Sequence, residues 1–281
     1  PATDRDGAPA DAAQAYDSDP QGDDAAAGSD GAYDAIATPN THAVRFMSSL
    51  DRYLFYSDEG SSAVDVTQTV TFEAWFKLAS LPTEGAQYAL VVKADVNNPL
   101  STSYSFELRN ASGTMQLVAR LHGAPAGGGS DVDVGGFYWP TLATGSWHHV
   151  AASYDVAAAT VADRFRFYRD GDPVPGGDVV DLASGDPITA IRDSTADMHL
   201  GVRVTGGTIA NRLDGLLDEV RMWDVVRSAG DISAHYLVEL AGDEPGLIGY
   251  WQLDDNAMDS GPNAADLGII GGFDAVTDTP F

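Results

Sequence analysis

From residue 42 onward, apolar and polar positions alternate over short runs, the signature of strands with one buried face. Thr69 to Leu78, TVTFEAWFKL, sets Val70, Phe72, Ala74, Phe76 and Leu78 on one side and Thr71, Glu73, Trp75 and Lys77 on the other. The same pattern predicts strands at 43–47 (AVRFM), 88–94 (YALVVKA), 104–109 (YSFELR), 115–122 (MQLVARLH), 147–155 (WHHVAASYD), 163–171 (DRFRFYRDG), 198–204 (MHLGVRV) and 216–223 (LLDEVRMW). Gly, Asp and Pro turns separate them, and Asp170-Gly171 reads as a hairpin turn. Many short strands at close spacing predict an all-β sandwich of two antiparallel sheets. One helix interrupts the pattern near the C-terminal end. It is expected over Ser228 to Leu240, with Ser228 as N-cap, Asp231 in the first turn, and Ile232, His235, Tyr236 and Val238 to Leu240 as its contacts.

Residues 1–41 have a different texture and are read as an acidic Ala/Asp/Gly-rich arm before a sandwich over 42–281. The first forty residues carry nine Asp and one Arg, and Ile36 is their one large aliphatic side chain. Such a stretch cannot build a core, and on its own it is expected to be disordered. Tyr16, Tyr33 and Ile36 are the anchors expected if a partner subunit or scaffold orders it.

Composition narrows the partners. The 15 Lys+Arg and 42 Asp+Glu give 15 − 42 = −27, which argues against charge-driven binding to nucleic acid or to an anionic membrane. The 44% hydrophobic content supplies a sizeable core. The acid is 35 Asp to 7 Glu, and the base is 13 Arg to only two lysines, Lys77 and Lys93. Short carboxylates hold water and cations near the backbone, so this bias predicts a protein from a saline habitat, where a Debye length of roughly 3 Å screens self-repulsion; the alternative is a GC-rich genome with calcium-binding loops. Cysteine is absent, which removes disulfides and thiolate metal sites. No run approaches the roughly 18 apolar residues of a membrane span, and no basic stretch followed by an apolar one marks an export signal.

The words TVTFEAWFKL, ALVVKAD, YSFELRN, GSWHHVAASYD, FRFYRDGDPV, MHLGVRV and LDGLLDEVRMWDVVRSAGDI, in that order, resemble the concanavalin A-like, laminin G-like (LamG, pentraxin-related) superfamily. The closing GYWQLDDNAMDSGPNAADLG is similar to a Trp-containing strand and loop that flank such domains, so the resemblance covers roughly 42–270. It implies a jelly roll of two sheets, with one short helix beside them. It implies function less directly, because the fold serves lectins, adhesion modules, glycanases and viral surface proteins. It also implies a structural Ca2+ near the sandwich rim, for which Asp51, Asp218 and Asp259 are the candidate ligands.

Catalytic signals are weak. Glycosidases need paired carboxylates, and no Glu-x-Asp-x-x-Glu run occurs; Glu219 is expected to pair with Arg221 or a cross-strand Arg. His148 and His149 are neighbours in a strand and point to opposite faces, so a structural role is expected for both, with Trp147 as core. Trp75, Trp223 and Trp251 are likewise read as core. Phe137, Tyr138 and Trp139, after the Gly127-Gly128-Gly129 loop, form the aromatic patch expected to stack on a sugar, weighed equally against a place in the core.

These readings converge on a non-enzymatic surface recognition or decoration protein of an extracellular assembly, with the virion surface as its setting. The expected partners are other copies of the chain, a particle or envelope scaffold protein, and a host surface glycan or surface-layer protein. The rim stretches 123–140 and 205–212 are expected to face the host. A secreted or cell-envelope carbohydrate-binding module of a polysaccharide-degrading system is the alternative.

Overall fold

Period-two alternation becomes a sandwich because each strand hides one side chain in two from water. In the computed structural model, which describes residues 39–281 apart from 61, 96–97, 99–100, 126–131, 176–178 and 182–186, the fold lies within the unit Tyr33–Phe281. The anchors Tyr16, Tyr33 and Ile36 lie outside the described residues. The elements run in the order β1 (Ala43–Phe46), β2 (Tyr53–Tyr56), β3 (Thr69–Leu78), β4 (Gln87–Lys93), β5 (Tyr104–Ala111), β6 (Thr114–Pro125), β7 (Val132–Tyr138) and β8 (Trp147–Asp155). Next come α1 (Val161–Arg164), β9 (Phe165–Arg169), β10 (Asp172–Pro173), β11 (Val179–Asp181), β12 (Ile188–Ile191), β13 (Met198–Leu200), β14 (Arg203–Thr205) and β15 (Thr208–Ala210). Last are β16 (Gly215–Trp223), α2 (Ala229–His235), β17 (Leu247–Trp251), β18 (Gly268–Ile270) and β19 (Ala275–Val276).

Sheet A is ordered β10-β9-β8-β3-β16-β1-β19, with β17 also paired to β16. Sheet B is ordered β11-β7-β6-β5-β4-β13-β2-β18, with β12 on β6. Between them lies one core, to which β3 sends Val70, Phe72, Ala74, Phe76 and Leu78 and β5 sends Tyr104, Phe106 and Leu108. Phe72 meets Tyr104 and Phe106 there, with ring centroids 5.1 and 5.8 Å apart. Trp251 joins this core, while Trp223 packs in a smaller cluster with Leu240, Leu247 and Tyr250.

Two turns decide what stands over the sheets. Asp170 and Gly171 both have positive φ, 50° and 83°, as the expected two-residue hairpin between β9 and β10 requires. Gly201 has φ 80°, and a Cβ there would lie 2.3 Å from the Phe46 ring. The predicted strand 198–204 is therefore broken: β13 stays in sheet B, while β14 leaves to form a separate two-stranded hairpin with β15. Alternation through MHLGVRV gives no hint of this break; the glycine does.

The predicted helix also differs in length. Its start has the expected form, with the Ser228 hydroxyl accepting from the Asp231 N–H and the Asp231 carboxylate accepting from the Ser228 N–H. It ends at His235 because Arg221 takes the next carbonyls: Nη1 donates to His235 O at 2.9 Å and Nη2 to Val238 O at 2.5 Å.

Candidate functional site

The two outer faces of the sandwich are finished differently. Sheet A is covered by α2 and the end of the chain. Trp75 stacks on Tyr236 with centroids 6.0 Å apart and donates its indole N–H to the Tyr236 carbonyl at 2.8 Å, and Phe281 meets its edge. Trp75 is thus buried, though beneath the helix rather than between the sheets. Arg221 Nη2 lies 2.5 Å from Glu219 Oε2, the expected pairing, and the Tyr250 hydroxyl is 2.9 Å from both Glu219 oxygens. Burial pushes the Glu219 carboxyl up to about 7, with Glu239 adding to the rise and Arg221 and Tyr250 opposing it. His149 is buried here, 3.4 Å from Glu73, whereas His148 faces Trp139 and Phe76 on the other side, as alternation requires. Trp147 is only half-buried and donates to Asp278 at 2.9 Å, so it is not core.

Sheet B presents an ordered polar face. With Tyr104, Phe106, Leu108, Leu117, Ala119, Leu121 and Phe137 turned into the core, their neighbours face outward in rows set by the strand register. One row reads Gln87, Arg109, Gln116, Tyr138; the next Ala89, Glu107, Val118, Gly136; the third Val92, Ser105, Arg120, Val134. Apart from Glu107, the middle row is built of small side chains. At Gly136 a Cβ would lie 2.5 Å from the Leu117 carbonyl oxygen, so glycine keeps that position flat.

Glu107, fully buried, is the centre of this face. Its two oxygens accept from Arg120 Nη1 (2.6 Å), Arg203 Nη2 (2.9 Å) and Nε (3.2 Å), Asn211 Nδ2 (2.8 Å) and Ser105 Oγ (3.1 Å). Arg203 and Asn211 arrive on the β14–β15 hairpin and its exit, which the Gly201 turn carries back over β5. Burial alone would raise the Glu107 carboxyl; Arg203 first and Arg120 second reverse that and hold it below the usual carboxylate range. Burial also lowers the Arg120 guanidinium from its ordinary value, Glu107 opposes the drop, and the like charges of Arg203 and Arg109 deepen it. Arg109 donates Nε and Nη2 to Gln116 Oε1 at 3.0 and 2.5 Å.

The expected aromatic platform is resolved by the same pleat. Adjacent strand residues face opposite ways, so Phe137 and Trp139 lie in the core while Tyr138, 42% exposed, closes the Arg109–Gln116 row on the outer face. Three consecutive residues therefore cannot form one stacking surface, and the platform reduces to Tyr138.

The three candidate calcium ligands stand in separate networks. Asp51 pairs with Arg212 at 2.6 Å; Asp218 accepts from Asn40 Nδ2 at 2.9 Å and from the Glu219 N–H; Asp259 accepts the N–H groups of Tyr250, Gly261 and Ala265. Burial first and Glu219 second push the Asp218 carboxyl well up. Among the described residues, no group of three or more His, Asp and Glu side chains is placed to hold a metal ion. A different cation fills one carboxylate pair: the buried Lys93 Nζ donates to Asp58, to Asp65 at 2.8 Å and to the Ser194 carbonyl at 2.6 Å.

A cleft of about 420 Å3 opens beside β1, β3 and β16, with Arg45, Lys77 and Asp214 in its walls. Lys77 is already paired with Asp278 at 2.7 Å, and Asp214 accepts from Ser80 at 2.5 Å.

A family profile described as the concanavalin A-like lectin/glucanases superfamily, Laminin_G_3, matches residues 30–233, well over half of the chain. The chain belongs to that superfamily. The lectin/glucanase fold is also seen in a heptameric SAP-like pentraxin from Limulus polyphemus, 13% identical, with a TM-score of 0.54 over 86% of this chain and 97% of that one. A Bacteroides ovatus protein described as carbohydrate-binding is 18% identical, with a TM-score of 0.53 over 84% of this chain and 60% of that one. At such identities these likenesses speak for the lectin/glucanase fold alone. A search of curated proteins finds no match.

Glu107, Arg120, Arg203 and Asn211 escape a reading by motif. A signal was present: Glu107 is one of only seven glutamates, sits on the outward side of a predicted strand and has Arg109 two positions on.

Proposed function

We propose that this superfamily member is a non-enzymatic recognition module that binds glycan through the outer face of sheet B. The observation that carries the reading is the row Arg109, Gln116, Tyr138 beside the low row Ala89, Val118, Gly136. The exposed Tyr138 offers an apolar ring face, and Arg109 and Asn211, both partly exposed, match hydroxyls, while the small buried residues of the neighbouring row keep the sheet flat beside them. Non-enzymatic action is supported by the same geometry. Glycoside hydrolysis uses two carboxylates across a bond, and Glu107, the carboxylate at the centre of this face, already accepts five hydrogen bonds.

The setting we propose is an extracellular assembly, the surface of a virus particle from a saline habitat, for which the −27 charge and the acidic arm are the support. The test of the glycan reading is retention of the full chain on an array of surface saccharides, repeated with Tyr138→Ala. Binding that weakens by roughly tenfold in the variant is expected. Absence of binding, or binding indifferent to Tyr138, would sink the reading, and sugar release from the array would remove its non-enzymatic part. For the setting, density-gradient fractionation of the native source at its own salt should place the chain with a capsid protein; recovery with cell envelope or free protein would favour the carbohydrate-binding module.

A further inference from the structure

We propose that Arg109, Arg120 and Arg203 form an anion subsite that receives the carboxylate or sulfate of an acidic saccharide. The proposal rests on the glycan reading of sheet B and names the chemical class of its ligand.

Arg120 and Arg203 share the single carboxylate of Glu107, and Arg109, bonded to the neutral Gln116, acts on Arg120 as a further like charge, so the patch has a local charge of +3 − 1 = +2 in a chain whose net charge is −27. Arg is scarce here, 13 among 281 residues, and three of them converge on one site. Internal ion pairing does not consume them. A carboxylate offers about four lone-pair positions, and Glu107 already accepts five bonds, so it has no capacity left for further N–H groups. Each guanidinium has about five N–H donors. Arg120 gives one to Glu107, Arg203 gives two, and Arg109 gives two to Gln116. The side chains of Arg120 and Arg203 remain 17% and 20% exposed, so water reaches them from the outer side.

The face thus holds surplus donors, like charges crowded together and a saturated counter-ion. An incoming anion relieves all three. It offers acceptor oxygens in the planar geometry that guanidinium groups match, and it lowers the mutual repulsion of the arginines. Tyr138, at the end of the Arg109 row, lies where the ring bearing that anion would rest. Neutral sugars gain only the stacking and hydroxyl bonds, so the subsite discriminates by charge.

The probe is an array of oligogalacturonates, glucuronate- and sialate-terminated oligosaccharides and sulfated galactose oligomers, each beside its carboxyl-reduced or desulfated counterpart. Four proteins are compared: the full chain, Arg109→Gln, Arg203→Gln and Arg52→Gln. The last makes the same change in net charge at a residue paired with Asp274 rather than with Glu107 or Gln116. Acidic members are expected to bind roughly tenfold tighter than their neutral counterparts. That preference should disappear in Arg109→Gln and Arg203→Gln and persist in Arg52→Gln. The carboxylate and sulfate arms then show which anion is preferred. Among the described residues the Arg109 side chain donates to Gln116 alone, so its variant is expected to keep the thermal midpoint, which keeps the test independent of folding. Equal binding of acidic and neutral members overturns the subsite and leaves the glycan reading standing. Equal weakening by Arg52→Gln overturns it in favour of overall charge. Retention of no saccharide at all overturns both readings.

Discussion

Glu107 and Glu219 are the same residue type, both fully buried in strands of the same sandwich, and their carboxyl groups move in opposite directions. On sheet B, Arg203, Arg120 and Asn211 outweigh burial and hold Glu107 ionised. On sheet A, Glu219 has Arg221 and Tyr250 for partners, with Glu239 as a neighbour, and burial wins. Burial therefore does not decide the charge of a carboxylate; the count of cations around it does. The difference follows how each face is covered. A helix and the chain end seal the Glu219 network from solvent, whereas Arg120 and Arg203 in the Glu107 network stay 17% and 20% exposed.

Three substitutions test that contrast, in decreasing order of effect, and two more test it through pH. Arg221→Ala removes the cation paired with Glu219 on the sealed face and the donor to the carbonyls of His235, the last residue of α2, and of Val238. Chemical unfolding should show a loss of about 3–5 kcal/mol, as for other broken buried pairs. A loss below about 1 kcal/mol would mean that the sealed face does not depend on its ion pair. Gly201→Ala forces a side chain into a left-handed turn and onto the Phe46 ring, and should cost about 2–3 kcal/mol. Its glycan binding should fall as well, since the turn positions Arg203. Arg203→Gln, on the open face, leaves Arg120 and Asn211 on Glu107, so about 1–2 kcal/mol is expected. A larger loss than for Arg221→Ala would invert the comparison.

The contrast also shows in pH. The Glu219 carboxyl titrates near 4.5 when unfolded and about 7 when folded, so the folded state binds the extra proton between those values. Its contribution is complete below about pH 4.5 and is lost as pH rises through 7. His199, on the outer face of sheet B, moves the other way: burial lowers it from 6.5 to about 4, against the neighbouring Asp197. Its contribution is complete above about pH 6.5 and is lost as pH falls towards 4. Thermal midpoints against pH should therefore fall less steeply on the alkaline side in Glu219→Gln, and less steeply on the acid side in His199→Phe. Matching profiles for the two variants would remove the distinction between the faces.

The sandwich was legible because its core positions recur with period two, and every strand predicted from that alternation is present in part or whole. Asp170-Gly171 and Ser228 were legible because their local bonds need no tertiary partner. Three features were not. MHLGVRV alternates through its own break, so only the left-handed turn at Gly201 reveals that Arg203 leaves the sheet. The helix stops short because Arg221, far away in sequence, takes its carbonyls. The Glu107 site assembles residues from β5, β6 and the β14–β15 hairpin, and no spacing along one strand encodes it. Phe137-Tyr138-Trp139 shows the converse: the pleat alone was enough to separate Tyr138 from its two neighbours.

Lys93 lies enclosed by Asp58, Asp65 and the Ser194 carbonyl, which leaves Lys77, 25% exposed on the outward side of β3, as the side-chain amine that reagents can reach. Coupling through lysine would tether the molecule by sheet A. On a sensor chip or a bead, the arginine-bearing face of sheet B would then look away from the support in every copy so attached, and immobilisation itself would present the proposed ligand side to solution.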